Sequence, residues 1–424
     1  MFTIIADALS RFLDASETIS QQYRMKSILK TARLALPRVL ALTSLATATT
    51  TGRCTTDEDC SLNGICNTRC GTCACDAGWT AGDCGVLDIR PAKRHSGYNR
   101  TAEDTSSWGS RIMQDPKDHG LHHLFAAEFA HGCGLDYWAP YSRIVRAESR
   151  HGPAGPYAFA DEVAGTFAHN PTVVYSPADE EYLMYYIGCE TEVAPQCTSK
   201  QFTCGPGNQN NGESGISLKA SKDLKSWMDV GQVFQGKDNK DWDADVTNPS
   251  AFPLYSDAGD KTDAILLAYR GCPYDCGGSE QVNIALAKDG YKGPYSKMQQ
   301  DPIFSQGNED PFIWRDKRGH WHILMHSLEA EGGFGDGPKV GRHAYARNYT
   351  GPWTFSERSL AFNTTVHYDD GSTIKFFRRE RPQLMFSTDG KMTPLLLTTG
   401  VQPRNSPMSY TAIVPIGDAG VRAQ

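Results

Sequence analysis

The chain has 424 residues, of which 39% are hydrophobic, so it is long enough to bury a large core and its composition excludes a wholly disordered protein. Its net charge of −7 and the lack of a long basic run argue against a nucleic-acid-binding protein. Thirteen cysteines, seven of them between Cys54 and Cys84, indicate an oxidising compartment or a metal site.

The first 50 residues have the pattern of a targeting segment. Basic residues precede a mostly apolar run at 34–48, which ends in a small-x-small cleavage sequence. We therefore predict a signal peptide within residues 1–50 of a secreted, extracellular protein, with an uncleaved membrane anchor as the alternative and Met25 as an alternative start. Three Asn-x-Ser/Thr sequons agree with secretion and are predicted glycosylation sites: Asn99, Asn348 and Asn363.

Residues 54–85 are dense in cysteine. They contain the pattern C-x-C-x2-G-W-x4-C, formed by Cys73, Cys75, Gly78, Trp79 and Cys84. This segment resembles an EGF-like domain, and the resemblance implies three disulfide bonds: Cys54–Cys66, Cys60–Cys73 and Cys75–Cys84. Cys70 is left over, and a zinc site is the alternative use of the clustered thiolates. The resemblance implies a spacer or a module that binds a protein partner, followed by a linker at 86–104.

The rest of the chain repeats one motif, in which two polar residues and a proline precede a β-prone run. The four copies begin at His169-Asn170-Pro171, Thr247-Asn248-Pro249, Glu309-Asp310-Pro311 and Glu380-Arg381-Pro382, and a fifth, proline-free unit begins at Ser107-Trp108-Gly109. Polar turns and further β-prone runs follow each copy, which predicts antiparallel hairpins. Five such units predict an all-β fold, a five-bladed β-propeller over residues 105–416, with a β-sandwich as the alternative.

Six further cysteines lie in the predicted propeller. Cys272 and Cys276 are close enough in sequence to pair locally. The other four are predicted to link the loops of blades one and two: Cys133, Cys189, Cys197 and Cys204.

A propeller brings the starts of its first strands and the ends of its second strands to one face. The polar and aromatic residues at these places are Trp108, Glu128, His169, Asp245, Arg270, Glu309, Asp310, His326, Glu380 and Arg381. Hydrolysis of a glycosidic bond needs one protonated and one ionised carboxyl group. We assign catalysis to Glu309, Asp310, Glu380 and Glu128, and substrate binding to His169, Arg270, His326, Arg381, Trp108 and Asp245. Glu309 is the predicted general acid, with Glu380 or Glu128 as its partner and Asp310 in an orienting role.

The repeated units, and Asn308-Glu309-Asp310-Pro311-Phe312 above all, are similar to the five-bladed propeller glycosidases of families 43, 62, 32 and 68. The resemblance implies a glycoside hydrolase acting on an extracellular polysaccharide, and we expect no cofactor and no metal. Family members carry Asp, Asp and Glu in blades one to three, where this chain has Trp108, His169 and Thr247, so those three roles are not transferred. A catalytically inactive glycan-binding propeller and an adhesion protein are the alternatives.

Overall fold

The computed structural model describes residues 53–200, 215–236, 240–255, 261–328 and 340–424. The predicted signal peptide lies outside the described residues. Five antiparallel sheets follow one another along the chain, and their first strands contact each other in a closed ring, the fifth returning to the first. The predicted all-β, five-bladed β-propeller is therefore confirmed.

Blades one to four each have four described strands, and blade five has three. Blade one consists of Ser107–Gln114, His122–Phe129, Ser142–Ser149 and Ala158–Ala164, and blade two of Ala168–Ser176, Glu181–Gly188, Ile216–Ser221 and Met228–Phe234. Blade three consists of Asp245–Tyr255, Lys261–Cys272, Gln281–Ala287 and Tyr295–Lys297, and blade four of Asn308–Arg315, Trp321–Ser327, Gly341–Ala346 and Thr354–Phe355. Blade five consists of Arg378–Phe386, Pro394–Gln402 and Tyr410–Pro415.

Short elements connect and precede the blades. Three two-stranded pairs are formed by Gly64–Asn67 with Thr72–Cys75, Trp79–Thr80 with Val86–Leu87, and Thr365–His367 with Thr373–Lys375. The helical segments are Asp57–Cys60, Thr101–Glu103, Ala130–Gly132, Leu135–Tyr137, Trp138–Tyr141, Tyr274–Cys276 and Gly417–Ala423. None of these described helices has the length and apolar character that crossing a membrane requires.

The blades are buried on both faces, which explains the continuous apolar runs of their second strands. Successive side chains of a strand point to opposite faces. In blade two, Leu183 and Tyr185 pack in a cluster with residues of blade three, while Met184 and Tyr186 pack in a cluster with residues of blade one. A strand between two such clusters therefore reads as apolar at every position.

The five first strands share one irregularity near their start. In each, one residue has a left-handed backbone, with φ between 53° and 60°, and the strand holds one residue more than its partner: Gly109, Asn170, Asn248, Asp310 and Arg381. Glycine, asparagine and aspartate adopt this conformation most readily. As predicted, Pro171, Pro249, Pro311 and Pro382 lie at equivalent places, each directly after the left-handed residue. Such a β-bulge re-aims the neighbouring side chains.

The ring is closed by the segment that precedes blade one. Tyr98 pairs with Thr411 in the last strand of blade five, and both of their backbone hydrogen bonds are 3.0 Å long. Ile89 forms a second antiparallel bridge, with Ile416. Part of the predicted linker at 86–104 thus runs along the outer edge of blade five, so that residues far apart in sequence close the propeller.

The cysteine-rich segment packs on the propeller. It contains the three disulfide bonds that the EGF-like resemblance implies, Cys54–Cys66, Cys60–Cys73 and Cys75–Cys84, so these six cysteines are not available to zinc. Among the cysteines that the structure describes, the free one is Cys70, which is exposed. Trp79 lies with its ring centroid 5.1 Å from His343 and 6.4 Å from Trp314 of blade four, and Arg318 pairs with Asp76 at 2.6 Å.

We expect Trp79→Ala to lower the free energy of unfolding by about 3 kcal/mol, because it removes a large ring that is 8% exposed and packs between the segment and blade four. Urea denaturation measures the change. The matched control is Ile65→Ala in the same segment, whose side chain is 55% exposed and should change stability by less than about 0.5 kcal/mol. Equal stability of the two variants would contradict tight docking of the segment.

Candidate active site

A cavity of about 400 Å³ opens where the first strands begin, and all five blades contribute to its wall. Six of its lining residues are among the sequence-predicted candidates: Trp108, His169, Arg270, Glu309, Glu380 and Arg381. Seven others were missed: Leu135, Asp136, Trp138, Lys200, Cys276, Glu280 and Arg378. A second cavity, of about 420 Å³, lies beside Tyr368 and Tyr410 and has no acidic side chain in its lining. The first cavity is distinguished by its buried carboxyl groups, those of Glu280, Glu309 and Glu380.

The surroundings of the Glu309 carboxyl group favour its ionised form. It lies on the first strand of blade four, directly before the left-handed residue, and is 3% exposed. His326 Nδ1 donates to its Oε1 at 3.1 Å, and Asn248 Nδ2 donates to its Oε2 at 3.4 Å. Burial alone would raise the pKa of Glu309, but the hydrogen bond from His326 and the positive charge of Arg381 outweigh burial and hold that pKa below its usual range.

Asp310 does not line the cavity, and its contacts fix Arg381. Its carboxylate accepts hydrogen bonds from Asn248 Nδ2 at 2.8 Å, from the backbone N–H of Arg381 at 3.2 Å, and from the guanidinium of Arg381. These bonds hold Arg381 in the left-handed conformation, which is unusual for a long side chain. Burial lowers the pKa of Arg381 to about 10, so the group stays positively charged near neutral pH. Asp310 is thus suited to the orienting role predicted for it.

Glu280 is the buried one of the two acidic cavity residues that the sequence analysis missed; the other, Asp136, is exposed. It lies directly before the third strand of blade three, and its backbone carbonyl accepts a hydrogen bond from Asn308 N–H at 2.9 Å, one residue before Glu309. Its side chain is 6% exposed, and Arg270 Nε lies 3.0 Å from its Oε2. Burial raises the pKa of Glu280 to about 7; the negative charge of Glu309 acts in the same direction, while Arg270 opposes both.

Two further groups suit the binding of a polar ligand. His169 Nδ1 lies 2.6 Å from Ser142 Oγ, and burial together with the charge of Arg381 holds the pKa of His169 well below its usual range, so the ring is neutral. The ring of Trp138 packs 4.7 Å from His169. Among the described residues, His169 Nε2, Arg378 Nε and Arg381 Nε are buried without a hydrogen-bond partner. A ligand with several hydroxyl groups would satisfy such atoms.

Four of the predicted site residues do not line the cavity: Glu128, Asp245, Asp310 and His326. Glu128 is fully buried and accepts hydrogen bonds from Tyr98 Oη at 2.5 Å, Arg100 Nη1 at 3.1 Å and Arg143 Nη2 at 2.6 Å. These bonds tie the closing segment to blade one, and the position of Glu128 outside the cavity does not support its predicted assignment to catalysis. Asp245 is buried opposite Cys272, and His326 contacts Glu309; the assignment of both residues to substrate binding stays a prediction.

The cluster around the axis also has the composition of a cation site. Glu309, Asp310, His326 and Glu380 bring ligand atoms within 4.8 Å of one another. The guanidinium of Arg381, bonded to Asp310, already supplies positive charge to this cluster. The expectation of a metal-free site stays a prediction.

No protein-family model and no curated protein matches the chain. A family 117 glycoside hydrolase produced by the marine bacterium Zobellia galactanivorans matches with a TM-score of 0.51 at 12% identity, covering 78% of this chain and 90% of that one. A family 62 α-L-arabinofuranosidase catalytic domain from Coprinopsis cinerea gives 0.46 at 11% identity, with 74% and 98% covered. A thermostable family 43 glycoside hydrolase gives 0.45 at 13% identity, with 78% and 94% covered. The fold is thus shared with the family 117 glycoside hydrolase, and the predicted resemblance to propeller glycosidases is confirmed at the level of the fold.

Proposed function

We propose that the protein is a secreted glycoside hydrolase that cleaves an extracellular polysaccharide or another glycan. The observation that carries this proposal is the placement of Glu280 and Glu309 in one cavity with their pKa values displaced in opposite directions. Glycosidic cleavage needs one carboxyl group that donates a proton and another that is ionised. The propeller fold shared with glycoside hydrolases supports this reading.

The contacts favour roles that differ from those predicted from the sequence. Glu280, whose pKa is raised, is the general acid that protonates the leaving oxygen. Glu309, held ionised by its hydrogen-bond partners and by nearby positive charge, activates water or attacks the sugar. The prediction that Glu309 is the general acid is therefore replaced. Glu380 lines the cavity with Arg378, its Oε1 lying 3.6 Å from Arg378 Nη1, and we assign it to substrate binding.

Substrate binding is proposed to use the aromatic and polar wall. Trp108 and Trp138 offer apolar ring surfaces for a sugar, and His169, Arg378 and Arg381 offer the buried nitrogen atoms that lack a protein partner. Gly400 makes the position of Trp108 possible, since a Cβ at 400 would lie 2.4 Å from the indole ring. Asp310 keeps Arg381 oriented throughout.

The test is a screen of plant, algal and fungal polysaccharides for the release of reducing ends, run beside a binding assay on the same panel. The Glu280→Gln/Glu309→Gln double variant, purified in the same way, is the control for contaminating hydrolases. Cleavage by the wild-type protein alone supports a glycosidase. Binding without cleavage favours the inactive glycan-binding propeller. That alternative is already supported by the sequence, which has Trp108, His169 and Thr247 where family members carry acids. If the protein neither binds nor cleaves any glycan of the panel, both functions are contradicted.

The pH dependence of turnover follows from the two roles. Glu280 must be protonated, so activity should fall as the pH rises through about 7, the pKa that burial gives this group. Glu309 must be ionised, so activity should persist below the usual carboxyl range before it is lost in acid. Turnover measured on a cleaved substrate from pH 3 to 9 checks both limbs. A rate that keeps rising above pH 8 would contradict Glu280 as the acid.

Location outside the cell is part of the proposal. Five described disulfide bonds support it, as do the three sequon asparagines, all of which have exposed side chains. We further propose that the cysteine-rich segment, docked on the propeller, binds a protein partner. Peptide mapping of protein secreted by a eukaryotic host would show whether Asn99, Asn348 and Asn363 carry glycans.

A further inference from the structure

A short disulfide bond forms part of the cavity wall. Cys272 ends the second strand of blade three and pairs with Cys276, which lines the cavity. The two cysteines are 4 residues apart, whereas Cys133 and Cys197 are 64 residues apart. A crosslink that closes so short a loop removes little entropy from the unfolded chain. Global stability is therefore a weak explanation for the Cys272–Cys276 bond.

The two sulfur atoms hold one side of Arg270. Arg270 Nη1 lies 3.0 Å from Cys272 Sγ and 3.1 Å from Cys276 Sγ, and its side chain is 7% exposed. The other side of the guanidinium faces Glu280, with Nε 3.0 Å from Oε2. That contact lacks hydrogen-bond geometry, since both atoms are without a hydrogen-bond partner among the described residues. Arginine beside a carboxylate commonly forms two parallel hydrogen bonds, from Nε and Nη2 or from the two Nη atoms. The contacts of Nη1 with sulfur fix the plane of the guanidinium, and in this plane Nε–H is not aligned with Oε2.

We propose that the Cys272–Cys276 disulfide is a positioning element of the active site, which turns the guanidinium of Arg270 toward sulfur and so prevents it from closing a two-bonded ion pair on Glu280. The proposal rests on the proposed function, because it explains how the general acid keeps its proton beside an arginine. Neither cysteine contacts the reacting atoms in this role. The disulfide acts through Arg270, and Arg270 acts on Glu280.

The expected effect has a defined sign. Among the described residues, the charged groups with the largest influence on Glu280 are Arg270 from its own blade, Glu309 and His326 from blade four, and Arg381 from blade five. Without the disulfide, Arg270 is free to bond both oxygens of Glu280, which favours the ionised carboxylate. Loss of the disulfide should therefore lower the pKa of Glu280. Loss of the Arg270 charge should raise it.

The test measures proton binding directly and needs no substrate. Full-length protein is labelled with ¹³C at the glutamate carboxyl carbon, and Glu280 is assigned by comparison with Glu280→Gln. Carboxyl titrations are then recorded for the wild type, Cys272→Ala/Cys276→Ala, Arg270→Gln and the combined triple variant. We expect the Glu280 midpoint to move down by about one pH unit in the cysteine variant, a tenfold loss of proton affinity. It should move up in Arg270→Gln, and in that background removal of the disulfide should change nothing further.

The outcomes separate this proposal from the proposed function. A wild-type Glu280 that titrates in the ordinary carboxyl range would overturn the assignment of the general acid. If the Glu280 midpoint is high and is the same with and without the disulfide, the positioning role alone is overturned. The same conclusion follows if removal of the disulfide lowers the midpoint as much in the Arg270→Gln background as in the wild type. Cys272→Ser/Cys276→Ser keeps oxygen acceptors for Nη1, so its midpoint should lie closer to that of the wild type. If the alanine pair fails to fold, Cys272→Val/Cys276→Val replaces it, because valine is close to cysteine in size and offers no acceptor for Nη1.

Discussion

Glu280→Gln and Glu309→Gln should each lower turnover by at least about a hundredfold, the low end of a general acid or base contribution. Glutamine keeps the size of the side chain but can neither give up a proton as an acid nor accept one as a base. The two losses have different causes, so they should respond differently to the substrate. With an aryl glycoside, whose leaving group departs without protonation, Glu280→Gln should recover much of its rate and Glu309→Gln should not.

The pH profiles of the two variants sharpen the same test. The negative charge of Glu309 helps to raise the pKa of Glu280, so its removal in Glu309→Gln should move the alkaline limb to lower pH. In Glu280→Gln that limb should disappear. The matched control is Glu128→Gln, the same change at a buried carboxylate outside the cavity. It should leave turnover per folded molecule within a few-fold of wild type, and full activity in both cavity variants would refute the assigned roles.

The fold was predictable because its signal is local and repeated. Each proline motif encodes a left-handed bulge residue followed by a residue that needs no N–H partner, and this pair of constraints recurs in four blades. In the fifth copy Gly109 supplies the same backbone conformation without a proline. Residues next to the bulge were therefore found, and Trp108, His169, Glu309 and Glu380 line the cavity.

The rest of the site depends on contacts that no local pattern encodes. Glu280 and Trp138 reach the cavity from connections between strands, at positions that do not repeat from blade to blade. Glu128 ends a second strand, as expected, but the segment assigned as a linker returns to blade one and places Arg100 against its carboxylate. The ionisation of Glu309 likewise depends on Arg270 and Arg381, which come from two other blades.

Asp310→Asn is expected to lower the free energy of unfolding by about 3–5 kcal/mol, the cost of leaving one member of a buried ion pair without its partner. Asparagine preserves the shape of the side chain and tolerates the left-handed backbone of position 310, so the change isolates the charge. Arg381, itself 8% exposed, would lose the carboxylate that holds both its backbone N–H and its guanidinium.

Urea denaturation measures this loss, with Asp389→Asn as the matched control. Asp389 pairs with Lys391 at 3.3 Å on the surface, where both side chains are at least half exposed, and its substitution should change stability by less than about 0.5 kcal/mol. Removing both members in Asp310→Asn/Arg381→Gln should recover part of the loss, because the buried guanidinium that lacks its carboxylate is then also gone. A stability within about 1 kcal/mol of wild type for Asp310→Asn alone would show that Arg381 does not depend on this carboxylate. The orientation of Arg381 in the cavity would then need another cause.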